Sequence, residues 1–134
     1  MIVVDTNIVG YFFLTSSKSA LADKAWQKDP IWAAPLLWRS EMRNVLALYI
    51  RKGVLSLTDA GLIMNEATDL MLGQEYDVNS YQVLQLVEKS ACSAYDCEFV
   101  ALARDLKIPL VTADQQILSD YPEIAYSLEE FVAS

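Results

Sequence analysis

Short apolar runs alternate along this chain with longer stretches whose apolar positions recur at helical spacing. Ile2–Val4 is the first run, and its unbroken apolar character predicts a strand buried on both faces. Asp5-Thr6-Asn7 then predicts a helix start. Ala20 to Lys28 reads as a helix ended by Asp29-Pro30, and Ile31 to Ala34 as a second strand. Pro35 is expected to open a helix that runs to about Lys52 and stops at Gly53. Leu57-Thr58-Asp59 is expected to cap a helix through about Leu72, followed by a short strand over Tyr76 to Val78. Asn79 and Ser80 would cap a helix reaching Lys89, and Ser93 one from Ala94 to Leu106. A strand over Leu110 to Thr112, a short helix from Asp114, an edge strand over Ile124 to Tyr126 and a helical turn over Leu128 to Val132 complete the pattern. Short strands alternating with helices imply an α/β fold with a largely parallel sheet.

The 134 residues fit one compact domain, with no linker, repeat or low-complexity tract. The hydrophobic share of 54% is high for a soluble monomer, and no apolar stretch is long enough to span a membrane. Met1 to Leu14 lacks a basic leader and carries Asp5, so it does not read as a signal peptide. Some apolar surface is therefore expected to be covered by another chain. A net charge of −8 argues against bulk, non-specific nucleic-acid binding. The chain has no histidine, which removes Ser-His-Asp and Cys-His hydrolysis and histidine-ligated zinc. Cys92 and Cys97 lack metal-site spacing and read as buried thiols of a cytoplasmic protein.

Four acids carry the candidate chemistry. Asp5 directly follows the first strand, and Asp114 lies two residues past Leu110–Thr112. Both fall at the C-terminal ends of predicted parallel strands, where open α/β sheets bind ligands. Either could equally cap the next helix. Glu41 shares a helical stripe with Leu37, Val45 and Leu48, so it interrupts apolar positions. Arg39 and Arg43 lie two residues to either side and do not face it. Asp96 shares its stripe with Val100 and Ala103, although Ser93 to Asp96 also has the spacing of a capping box. Four carboxylates brought together repel unless a cation joins them. All-oxygen ligands point to Mg²⁺ or Mn²⁺, which bind phosphates and activate water.

Val3-Val4-Asp5-Thr6-Asn7, a central helix with Glu41, Tyr95-Asp96 opening an Ala-rich helix, and Val111-Thr112-Ala113-Asp114 together resemble a PIN domain, most closely the VapC-type toxin ribonucleases. The likeness spans essentially the whole chain, 1–134, as a single nuclease domain. It implies a three-layer sandwich with a mostly parallel sheet, and a Mg²⁺- or Mn²⁺-dependent endoribonuclease acting on RNA. It also implies a homodimer, and inhibition by a cognate antitoxin protein. Asp5, Glu41 and Asp96 match the family's three regular acids and Asp114 its more variable fourth. Thr6 and Thr112 match hydroxyl positions near the metal, and Asn7 the polar residue after them. Many relatives carry a further acid after the fourth, where Gln115 and Gln116 stand here. Arg39, Arg43 and Arg104 are candidates for phosphate contact, against a reading as solvated surface charge.

Other acid-based folds fit less well. A haloacid-dehalogenase phosphatase needs a second acid at the position of Asn7, and a receiver domain needs a lysine after Leu110–Thr112. The rival that remains is a non-catalytic binding or regulatory module on a PIN scaffold. Tyr11, Phe12, Phe13, Trp26, Trp32 and Trp38 could stack bases, but core or interface packing is the expectation.

Overall fold

The first strand, β1 (Ile2–Val4), is buried along its whole length. It lies at the centre of a five-stranded parallel sheet in the computed structural model, which describes residues 1–134. The order is β3-β2-β1-β4-β5, with β2 at Trp32–Pro35, β3 at Glu75–Tyr76, β4 at Leu110–Val111 and β5 at Ala125–Tyr126. Val3 sits in register with Ala33 of β2 and Leu110 of β4. β5 is an edge strand, as its position at the end of the sequence pattern suggested.

Helices cover both faces. α1 (Thr6–Phe13) packs on α2 (Ser19–Lys28), on α3 (Trp38–Arg51) and on α4 (Leu57–Leu70). The last helix, α8 (Leu128–Ala133), joins this layer against α2. α5 (Ser80–Glu88) packs on α6 (Ala94–Leu106), and α6 lies across β1, β2 and β4. The chain steps outward from β1 to β3, then returns to β4, and the helices fall into two sets, α1–α4 with α8 and α5 with α6. The short α7 (Gln115–Asp120) links β4 to β5. No helix is long and apolar enough to cross a membrane.

α6 shows why these residues form this layer. Ser93 caps it, its Oγ accepting from the Asp96 amide at 3.1 Å. Phe99, Val100, Leu102 and Ala103 of this helix are buried in the core. Burying Phe99 alone contributes roughly 2 kcal/mol. The helix ends at Lys107, whose φ of 58° is the left-handed conformation that closes a helix C-terminus.

Some boundaries differ from the sequence expectation. Pro35 does not open α3; it ends β2, and the helix begins at Trp38. Proline cannot donate to the ladder, so it suits the last strand position as well as a helix start. Gly53, at φ 73°, does follow the end of α3. The cap of α4 is Ser56 rather than the Leu57-Thr58-Asp59 segment, its hydroxyl accepting from the Asp59 amide at 3.0 Å.

The large aromatics near the N-terminus divide between the core and the surface, with Trp26 exposed. Trp32 and Trp38 are fully buried, and Phe12 packs edge-on to Trp32 with ring centres 5.0 Å apart. Cys92 and Cys97 are buried free thiols. Burial pushes both up, Cys92 to about 12, which leaves them protonated and unreactive.

Candidate active site

The chain reverses its direction of travel across the sheet between β1 and β4, and ligand crevices open at such switch points. A cavity of about 490 Å³ lies there, lined by Asp5, Glu41, Asp96 and Asp114 among others. All four acids picked from the sequence therefore face one space, from two strand ends and two helices.

Asp5 is the most enclosed of them, at 6% exposure. Its Oδ1 accepts from the Thr6 amide at 2.7 Å, which makes it the N-cap of α1. Its Oδ2 accepts from Thr112 Oγ1, also at 2.7 Å. The amide of Asn7 reaches the same oxygen at 3.4 Å, while Asn7 Oδ1 accepts from the Ala113 amide at 3.2 Å. Burial lifts the Asp5 carboxyl to about 7. The bonds from Thr112 and Thr6 pull it down, and the charges of Glu41 and Asp96 push it further up.

Glu41 reaches the cavity from α3 and accepts from Thr6 Oγ1 at 2.8 Å. Its stripe is not the core stripe that the sequence suggested. Trp38, Met42 and Leu46 are the buried positions of α3, whereas Leu48 is exposed. Glu41 sits on the margin of the packed face, which is where a half-buried carboxylate can meet solvent and a ligand. Burial raises its pKa first, and the charges of Asp96 and Glu98 add to this.

Asp96 does follow the buried stripe of α6, above Val100 and Ala103. Burial and then the charge of Asp114 raise its pKa, with the Ser93 hydroxyl and amide pulling the other way. Asp114 caps α7, Oδ1 accepting from the Ile117 amide at 3.0 Å. Capping and cavity-lining thus coincide at Asp5 and Asp114.

The arginines divide. Arg39 is held by Glu75, which also accepts from Trp38 Nε1 at 2.8 Å. Arg104 pairs with Glu123 and stacks over Tyr121. It lines a surface with Ile108, Pro109 and Ile124, at the opposite ends of β4 and β5 from the acids. Neither is among the residues that line the cavity. Arg43 is likewise outside the lining, but its Nη2 donates to Oγ of Ser40, a lining residue, at 3.3 Å. Ser40, Asn44 and Tyr95 also line the cavity, and the sequence reading passed over all three as site residues. Gln116 turns to Asp120 and Gln115 is exposed, so neither extends the acidic cluster.

The donor set is carboxylate, hydroxyl and amide oxygen, without imidazole or thiolate in the cavity. Its chemistry fits a hard divalent cation. As the side chains stand, no three of them are close enough together to hold one ion. Asp5, Glu41 and Asp114 are each turned to a donor of the protein, and like charges keep apart.

The family model for the PIN domain matches residues 2–124. The chain belongs to the PIN domain family. This PIN domain is 26% identical over 128 residues to Ribonuclease VapC3 of Pyrobaculum aerophilum, covering 92% of this chain and 96% of the relative. Its fold is similar to the crystal structure of PAE2754 from Pyrobaculum aerophilum, with a TM-score of 0.78 and 19% identity. That likeness covers 98% of this chain and 93% of the other. It is also similar to FitAcB from Neisseria gonorrhoeae, with a TM-score of 0.74 and 14% identity over 96% and 99% of the two chains. A further similar structure is FitAB bound to an IR36 DNA fragment, with a TM-score of 0.69 and 15% identity over 96% and 95% of the chains. At these identities the structures bear on the fold alone.

Proposed function

We propose that this PIN domain is a metal-dependent endoribonuclease, the toxin of a toxin–antitoxin pair. The observation that carries the proposal is the single cavity lined by Asp5, Glu41, Asp96 and Asp114 at the switch point of the sheet. The named relative, Ribonuclease VapC3, supports RNA as the substrate.

Asp5 and Asp96 would be the principal ligands of Mg²⁺ or Mn²⁺, with Asp114 and Glu41 acting directly or through water. Bound there, the cation supplies Lewis-acid polarisation of a phosphodiester and lowers the pKa of water. The protein's own part is positional. Thr112 and the Thr6 amide fix both oxygens of Asp5. Thr6 Oγ1 fixes Glu41, so one residue organises two carboxylates. Glu41, half-buried and held, is suited to orient the attacking water for in-line displacement.

A homodimer and a cognate antitoxin follow from the same reading, with the cytoplasm as the place of action. Val54, Leu57, Leu62, Leu72 and Leu84 are exposed, and assembly would cover some of them.

The test is cleavage of a mixed RNA pool by the purified protein in Mg²⁺ or Mn²⁺, with cleavage absent in EDTA and in Asp5→Asn. Folded protein that neither binds Mn²⁺ nor cuts RNA would instead be a PIN scaffold serving as a binding or regulatory module.

A further inference from the structure

α7 starts at one of the four acids and ends at a carboxylate that has no part in the chemistry described above. Asp114 caps its start, and Asp120 is its last residue. Asp120 lies outside the acid-lined cavity, yet three donors converge on its Oδ2. The Ala91 amide donates at 2.9 Å, Gln116 Nε2 at 2.9 Å and Cys92 Sγ at 3.6 Å. The Ala91 amide, and then Gln116, hold the Asp120 carboxyl below the usual carboxylate range.

Ala91 and Cys92 belong to the loop that feeds α6. Ser93, next in the chain, caps that helix through the Asp96 amide, and Asp96 stands in its first turn. On the other side of the loop, Ser90 Oγ accepts from the Cys92 amide at 3.2 Å and donates to the Leu86 carbonyl at 2.8 Å. Tyr121 OH donates to the same carbonyl at 2.8 Å. Two consecutive residues at the end of α7 therefore hold two places: Tyr121 holds α5, and Asp120 holds the lead into α6. A surface carboxylate that merely ties down a loop is the plainer reading. Here the buried Tyr121 already anchors α7 to α5. Asp120 adds the hydrogen bonds that join α7 to the segment from Ser90 to Cys97, and no others do so.

That link matters because of what stands at the two helix starts. Asp96 and Asp114 line one cavity and repel each other. At six residues α7 has few backbone bonds of its own to resist a shift. We propose that Asp120 is a positioning residue for the acid site. By holding the loop that leads into α6, it fixes the start of α6 against α7 and sets the spacing of Asp96 from Asp114 at which one divalent cation joins both. This rests on the nuclease reading and extends it to a residue outside the cavity.

The test is affinity for Mn²⁺ alone, read from the electron paramagnetic resonance signal of the free ion. Asp120→Ala should keep the wild-type circular dichroism spectrum and bind Mn²⁺ about tenfold more weakly. Asp120→Asn removes the same charge but keeps an oxygen for the Ala91 amide, and it should recover most of the affinity. In an Asp114→Asn background, Asp120→Ala should cost little more, because the spacing it sets no longer serves two carboxylates. A brace of the fold alone would cost the same in both backgrounds. Wild-type affinity in Asp120→Ala, an equal loss in both backgrounds, or an Asp120→Ala protein that does not fold would each overturn this proposal and leave the nuclease reading standing. Wild-type protein that binds no Mn²⁺ would overturn both.

Discussion

Thr112 Oγ1 donates to Asp5 Oδ2 at 2.7 Å and so ties the C-terminal end of β4 to that of β1. The same hydroxyl accepts from the Asp114 amide at 3.0 Å. One fully buried side chain thus orients the Asp5 carboxylate and holds the backbone of Asp114, a second of the four acids. Ligand-orienting hydrogen bonds of this kind are typically worth 10- to 100-fold in metal affinity or activity.

Thr112→Val keeps the shape and removes both bonds. It is expected to cost about 2 kcal/mol of stability, because an enclosed carboxylate and an amide lose their partner. Mn²⁺ affinity should fall by about 10-fold or more, and Thr112→Ser should restore most of it. Thermal melts and a Mn²⁺ titration check this.

Asp5 controls a pH dependence in metal-free protein. Its ordinary value is 3.8, and burial first of all raises it to about 7 in the folded state. Between those values the folded protein keeps a proton that the unfolded chain has released. Stability therefore falls as pH rises through that window, and levels off once the folded carboxyl has also ionised. Asp5→Asn removes the ionisation. In EDTA near neutral pH the variant should be more stable than wild type by roughly 4 kcal/mol, with the difference vanishing toward pH 4. Chemical denaturation across that range would reveal it, and a constant difference would contradict the assignment.

Ser93 and Asp96 separate capping from chemistry. Ser93→Ala should cost about 1 kcal/mol, since the first turn of α6 loses its cap. Asp96→Asn keeps Ser93 as the cap, and should melt at or above the wild-type temperature in EDTA while losing Mn²⁺ binding. An Asp96→Asn protein that fails to fold would make Asp96 a structural residue first.

The arginines predict opposite outcomes. Arg104→Ala should leave cleavage unchanged, because its partners are Glu123 and the Tyr121 ring, far along the sheet from the acids. Arg39→Ala should lower stability by freeing Glu75 beside Trp38. Arg43→Ala should raise KM for RNA with little change in stability. Steady-state kinetics on the three variants tests the division.

The sequence carried the fold because its signals are local. Asn79 and Ser93 cap helices where expected, and Ile2–Val4 runs into Asp5 at a strand end. Periodicity was less able to say which of two adjacent stripes on α3 faces the core. Trp38, Met42 and Leu46 are buried, one position away from the stripe that holds Glu41. A helical stripe is broad, so neighbouring rows compete and only the packed neighbours decide. The partners of Arg39 and Arg104 lie 36 and 19 residues away, beyond any local pattern. The exposure of Tyr95 depends on how α6 meets the cavity, which an aromatic at a helix start does not announce.

The central claim is that the four carboxylates form a working, metal-dependent site, and the rate of RNA cleavage by Asp96→Asn against wild type, across a Mn²⁺ titration, tests it most directly. The account predicts metal-dependent cleavage by wild type, and a folded variant whose cleavage is abolished at low metal and not restored to the wild-type rate at high metal. Equal cleavage by the two proteins, or cleavage by wild type that persists in EDTA, would contradict it.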